Sequence, residues 1–274
     1  MQTEETLLPG CDCHIHVYDL DRYPIPQKDP VSPPQAPWSA YAKLQTALGL
    51  GRSVIVQPMG YGLDNRCTLD ALASAQGSAR AIVALEPDTA RHELDRLNAL
   101  GVVGVRFMLI PGGGGTMTWA KLPLIAEEIA ALGWHINLQL DGRDLPQYAP
   151  LLMSLPCPVV IDHIGKFLEP VEPEDPAFNC LRKLLDTGRF HVKLSAAYET
   201  SRIGPPDYED VGALARVLAR EHTERCLWAS NWPHPTQAIR PDDEGLLHML
   251  RDWAPTPSAY DRILCKNPHV LYQF

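Results

Sequence analysis

CDCHIHV, residues 11–17, is the stretch on which the reading turns. It is apolar or β-branched apart from one aspartate and two histidines spaced two apart. A strand's period of two sends His14 and His16 to one face and Cys13 and Ile15 to the other. Two imidazoles inside an otherwise apolar strand are costly to bury without partners. Such a strand therefore ends at a polar cavity or a site.

Seven comparable runs follow: SVIVQ (53–57), AIVALE (81–86), VVGVRF (102–107), HINLQL (135–140), CPVVIDH (157–163), FHVKLS (190–195) and CLWASN (226–231). Amphipathic stretches with acidic or Ser/Thr starts lie between them, near 64–77, 90–100, 119–132, 143–155, 175–188 and 207–222. Strands that are apolar on both faces and alternate with helices belong to a parallel sheet covered on both sides. Eight such units in 274 residues fit one α/β domain over 1–274, a single (β/α)8 TIM-like barrel. An open doubly wound sheet fits less well, because its GxGxxG fingerprint is missing after the first run. GGGG (112–115) reads as a flexible loop or, functionally, as a close approach to ligand or a mobile lid. The proline-rich 24–37 reads as an irregular excursion too short for a domain.

Composition narrows the class. Hydrophobic residues are 45% and charged residues 21%, as in a soluble globular protein. A formal charge of -9 with no basic run argues against nucleic acid or an anionic membrane as partner. The seven cysteines are odd in number, scattered and without a CxxC pair, so they read as reduced thiols. With no signal-like start and no long apolar run, a cytoplasmic protein is expected. Oligomeric state stays open.

In a barrel of this kind the site forms at the carboxyl ends of the strands. His14 and His16 end the first strand, His163 the sixth, and Asn231 the eighth, with His234 just beyond. Any one of these could be a hydrogen-bonded structural residue; together they form a constellation. Arg106, at the end of the fourth strand, has the fork geometry for a carboxylate, or pairs with a loop acid. Lys193 and Ser195 share a face of the seventh strand, Tyr198 and Arg202 follow in its loop, and Lys166 and Arg66 are further loop cations. Gln57 and Gln139 are candidates for ring or hydroxyl oxygens.

The ordered set HIH, DHIGK (162–166) and SNWPHP (230–235) resembles the amidohydrolase superfamily. It looks most like the branch of 2-pyrone-4,6-dicarboxylate lactonases and D-galactarolactone isomerases. YGLDNRC (61–67), GVRF (104–107), LGWHINLQLDGRDLP (132–146) and ILCKNPHVLY (263–272) carry the similarity along nearly the whole chain. Most of that superfamily binds metal through the first-strand HxH, a lysine or glutamate on strand four, histidines on strands five and six and an aspartate on strand eight. Here strand five has only His135, at its amino end, followed by Asn137 and Gln139, and strand four offers the cation Arg106. The resemblance implies the metal-free branch and no cofactor, with histidines donating to a carbonyl oxygen as an oxyanion forms. Zinc on His14, His16 and His163 is the alternative.

Asn231 stands where the lactonases have their aspartate base, and asparagine cannot take that proton. Loss of such a base costs about 10²–10⁴-fold. Either His234 or another group serves, or position 231 has been altered, or no water is activated. In the last case a hydroxyl of the bound lactone attacks its own carbonyl, with an effective molarity of about 10⁵–10⁸ M. DHIGKF (162–167) and YETSR (198–202) resemble the isomerases, which share the asparagine but lack the first histidine of HxH. The expectation is an enzyme acting on a small carboxylated lactone, with isomerisation slightly favoured over hydrolysis. A zinc-dependent hydrolase or decarboxylase, or a noncatalytic sugar-acid binder, is the alternative.

Overall fold

A computed structural model describes residues 8–25, 33–111, 115–235 and 237–274. Residues 112–114 of the tetraglycine run and 26–32 of the proline-rich excursion lie outside the described residues. The expected barrel is present. Eight parallel strands run in sequence order: β1 (Gly10–Ile15), β2 (Leu50–Val56), β3 (Ala79–Val83), β4 (Val102–Met108), β5 (His135–Gln139), β6 (Val159–Ile161), β7 (Phe190–Leu194) and β8 (Cys226–Trp228).

The predicted helices appear as α2 (Arg66–Ser74), α3 (Arg91–Leu100), α4 (Lys121–Ala130), α5 (Leu145–Ser154), α6 (Pro176–Asp186) and α7 (Glu209–Glu221). Local chemistry sets several of their ends. Asp175 accepts from the Ala177 amide, and Pro176 opens α6, where no amide donor is needed. Gly101, at φ 100°, lets the chain leave α3 in a left-handed turn. α6 buries Phe178, Leu181, Leu184 and Leu185, each worth roughly 1.5–3 kcal/mol.

The sequence reading missed α1 (Trp38–Ala47), α8 (Asp243–Trp253), α9 (Pro257–Asp261) and α10 (Asn267–Leu271). α1 has no side-chain cap and buries only Tyr41 and Gln45, so it has no clear apolar stripe to read. Among the described residues no helix is long and apolar enough to cross a membrane.

The apolar interior has two parts. The larger lies between helices and strands. The smaller gathers Cys11, Cys13, Val54, Val56, Ile82, Val103, Val160, Leu227, Ala229 and Tyr272. Strands 1, 2, 3, 4, 6 and 8 meet in this second cluster, so it fills the lumen. Tyr272 caps it from the amino ends of the strands, where Arg80 donates to the carbonyl oxygens of Tyr272 and Gln273. The mouth is at the other end.

One detail of β1 departs from simple alternation. Cys13 lies in the lumen with Val54 and Val56, while Ile15 packs outward with Ile55. The pairing register slips here: Asp12 faces Ser53 and Ile15 faces Ile55, three steps against two. This bulge turns both Cys13 and His14 inward. Asp12 stabilises it, accepting from the His14 and Ser230 amides and from the Ser230 and Tyr41 hydroxyls. The cylinder then closes through backbone beyond β8, as the Asn231 amide donates to the His14 oxygen at 3.0 Å and the His16 amide to the Trp232 oxygen at 2.7 Å.

Candidate active site

His14 and His16 sit at the inner rim of β1, buried and 4.7 Å apart by ring centroids. Their partners settle their tautomers. His16 Nδ1 lies 2.8 Å from the Val56 carbonyl oxygen, which only accepts, so this nitrogen carries the hydrogen. His16 Nε2 is then free to accept from His14 Nε2 at 3.1 Å. His14 Nδ1 in turn accepts from Lys193 Nζ at 3.0 Å. His163 completes the cluster, 4.9 Å from the His14 ring, with Nδ1 2.9 Å from the Ser195 hydroxyl. Burial holds all three imidazoles well below their ordinary pKa; next in weight, Lys193 acts on His14 and Arg106 on His16 in the same direction. They are neutral at pH 7.

Lys193 lies deeper than a loop cation would. It is wholly buried, 3.0 Å from Asp162 Oδ1 and hydrogen-bonded to Asn137 Oδ1. Asn137 Nδ2 donates to the other Asp162 oxygen at 2.8 Å. Burial pushes Asp162 up, but Lys193 and then His14 outweigh it and leave the carboxyl well below its usual range. Among the described residues, the donors grouped closely enough to hold a metal ion are those of His14, Asp162 and His163, all within 4.8 Å of one another. They fit an ion poorly. The set's only carboxylate is already paired with an ammonium, which also occupies His14 Nδ1, and a divalent ion would have to displace that buried cation.

Arg106 on β4 is 5% exposed, and among the described residues no carboxylate pairs with it. Nη1 donates to the Gln57 backbone oxygen at 2.6 Å and Nη2 to Gln139 Oε1 at 3.1 Å, while buried Nε has no partner. The side chain of Gln57 is taken up by its own loop. It accepts from Thr68 Oγ1 and donates to the Gly62 and Asp64 oxygens.

Turns carry His163 and the whole of the facing wall. The sequence reading runs β6 and β8 through His163 and Asn231, yet the strands stop at Ile161 and Trp228. His163 (φ 55°), Asn231 (φ 65°) and His234 (φ 60°) all take the left-handed conformation, which costs a residue with a Cβ about 1–2 kcal/mol. Such strained residues gather where side chains must be aimed. Asn231 Nδ2 donates to the Tyr198 hydroxyl and to Glu199 Oε1, both at 3.0 Å. Tyr198 OH lies 2.7 Å from His234 Nδ1, and His234 Nε2 lies 3.0 Å from Asp243 Oδ1. His234 thus has both nitrogens engaged behind Tyr198.

Lys166 is ion-paired with Glu199, and burial lowers its pKa to about 8. Arg202 points outward to Glu169 and is 69% exposed. His14, His16, His163, Arg106, Gln139, Lys166, Lys193, Tyr198, Asn231 and His234 therefore gather in one connected set; Arg202 stands apart. Sequence reasoning missed Asp162, Glu199, Asp12, Asn137 and Asp243. The first two were within reach, being the acids next to His163 and Tyr198.

Fold and site together define a (β/α)8 enzyme barrel with a histidine-lined, cation-rich mouth. The amidohydrolase family description matches residues 11–274, and the chain belongs to that family. It is 34% identical over 267 residues to D-galactarolactone isomerase of Agrobacterium fabrum, covering 96% of this chain and 90% of the relative. It is also 34% identical over 270 residues to 4-sulfomuconolactone hydrolase of Hydrogenophaga intermedia, covering 96% and 89%. Among solved structures, an apo crystal structure from Agrobacterium tumefaciens superposes with a TM-score of 0.90 at 33% identity, covering 97% of this chain and 96% of the other.

Proposed function

We propose that the protein isomerises a small carboxylated lactone by acyl transfer within the substrate, without a metal cofactor. The observation that carries this reading is Arg106, a buried guanidinium with no carboxylate of its own and an unpartnered Nε, set beside neutral imidazoles. A buried charge of this kind calls for an anion from the substrate. Both named relatives act on lactones by their names.

Arg106 binds the carboxylate and thereby fixes where the lactone carbonyl lies. On binding, the carbonyl oxygen takes the hydrogen of His14 Nε2 in place of His16 Nε2, with His16 and His163 alongside. As negative charge develops on that oxygen, Lys193 behind His14 Nδ1 polarises the hydrogen-bond chain toward it. Preorganised donors in a dry site are the largest usual source of rate acceleration. Asn231 and Tyr198 orient the attacking hydroxyl. Gln139 steadies Arg106, and Gln57 supports its loop rather than the substrate. Lys193 with Asp162 supplies fixed charge, and no step needs a metal ion.

Hydrolysis is the second reading, favoured by the Glu199 carboxylate 3.0 Å from Asn231. NMR of a lactone panel in water labelled with heavy oxygen separates the two. A new unlabelled ring establishes isomerisation; label in a ring-opened acid establishes hydrolysis and overturns the lead reading. Stoichiometric zinc with activity lost on chelation would overturn the metal-free account.

A further inference from the structure

Both reactions require a proton to leave the attacking oxygen. The imidazoles of the β1 and β6 rim serve the carbonyl, His234 is occupied on both nitrogens, and an asparagine amide is no base. Of the two carboxylates on the facing wall, Asp243 is held by His234 and Arg240, which leaves Glu199. Glu199 is one of the few acids nearly closed off from solvent, with 11% of its side chain exposed. One of its oxygens is ion-paired with Lys166 and the other takes a hydrogen from Asn231 Nδ2. Each oxygen keeps a second lone pair. The Lys166 amide donates to the His163 backbone oxygen at 2.8 Å and the Asn231 amide to the His14 oxygen at 3.0 Å, so both partners of Glu199 stand on the backbone that carries the imidazoles.

The asparagine then has a reason. Its two amide hydrogens are spent on Tyr198 and Glu199. An aspartate there would set a second carboxylate about 3 Å from Glu199, and like charges at that distance cannot both ionise without penalty.

We propose that Glu199 is the proton acceptor of the reaction, and that position 231 is asparagine because Glu199 already fills the anionic place of the site. This rests on the lactone reading above. As the substrate hydroxyl or water oxygen bonds to the carbonyl carbon, its proton passes to Glu199 and the carbonyl electron pair moves to the oxygen facing His14. When that oxyanion collapses, the ring carbon–oxygen bond breaks and the departing alkoxide takes the proton back from Glu199. Nothing else is consumed.

The experiment compares wild type, Glu199→Gln, Asn231→Asp and the double variant on a lactone that the wild type turns over. Glu199→Gln keeps the size and hydrogen-bonding reach of the side chain and is expected to lower kcat by about 10²–10⁴-fold with KM little changed. Asn231→Asp is expected to give no gain. The double variant, which moves the carboxylate back to 231, is expected to recover at least about tenfold over Glu199→Gln. A Glu199→Gln enzyme with wild-type kcat overturns the assignment, as does a KM effect alone. A wild type that turns over no lactone sinks the functional reading, and the base assignment with it.

The charge argument has its own readout, independent of activity. The groups facing Glu199 are Lys166, Asn231 and Tyr198, with His234 and Asp243 behind Tyr198. In Asn231→Asp the two carboxyls share a proton in the folded state, so their folded pKa is raised. The variant's melting temperature, relative to wild type, should fall as pH rises from the ordinary carboxylate range toward neutrality. That fall should be absent from the double variant. An Asn231→Asp protein that melts in parallel with wild type across this range refutes the stated reason for the asparagine.

Discussion

One wall of the mouth, built by β1, β4, β7 and the two residues that follow β6, carries three neutral imidazoles, two buried cations and one carboxylate: Arg106 and Lys193 against Asp162. The other, built by the turns after β6, β7 and β8, pairs Lys166 with Glu199 and Arg240 with Asp243, and links them through Asn231, Tyr198 and His234. The first is left one positive charge in excess; the second is balanced. In the proposed reaction the ligand's carboxylate offsets the excess on the first wall, and on the second a carboxylate held between an ammonium and an amide takes up the proton.

The contrast is broken most severely at Asp162. Asp162→Ala leaves Lys193 buried and unpaired, and should cost about 3–5 kcal/mol of stability in urea unfolding. Removing Lys193 as well, in Asp162→Ala/Lys193→Met, should restore much of that loss. If the single variant is as stable as wild type, the ion pair does not organise this wall.

Arg106→Met tests the excess charge directly. It should cost about 2–5 kcal/mol in kcat/KM for a carboxylated lactone and far less for its ester. Equal losses on both would refute the role.

The imidazoles offer a pH test. Burial lowers His14, His16 and His163, and also His135 to about 3 and His191 to about 4. Unfolded, all five titrate near 6.5, so their contribution is complete above about 6.5 and lost as pH falls toward the folded values. Asp12, raised to about 6 by burial, works the other way by a single proton. Stability should therefore fall by more than about 1.4 kcal/mol per pH unit below pH 6.5. A flat profile between pH 5 and 7 would show that these rings are charged in the fold.

Arg202, tied to Glu169 on the surface, should matter least. Arg202→Ala is expected to shift stability by less than about 1 kcal/mol and to leave turnover near wild type. A large rise in KM would return it to the site.

The two walls also differ in how far the sequence reveals them. Period-two alternation and the ordered signatures locate the imidazoles and Arg106, because side chains on strands follow the strand. The bulge that turns Cys13 inward together with His14 leaves no periodic mark. The left-handed turns at His163, Asn231 and His234 are equally silent, since those residue types do not announce a positive φ as glycine would. Lys193 reads as a ligand cation from its place on β7, but its depth depends on Asp162, two elements away in the chain. Glu199 was within reach as the acid next to Tyr198, but its meaning comes from Asn231 and Lys166, which only folding brings beside it.

The cylinder is zipped shut by the amides of Asn231 and His16, two of the residues proposed to face the reactant. The last stitch of the wall is thus also part of the workshop. Any partial parting of the first and last strands would scatter the reactive groups long before the helical shell loosened. On warming, turnover should vanish ahead of helical circular dichroism, which makes catalysis the more sensitive gauge of whether the ring is whole.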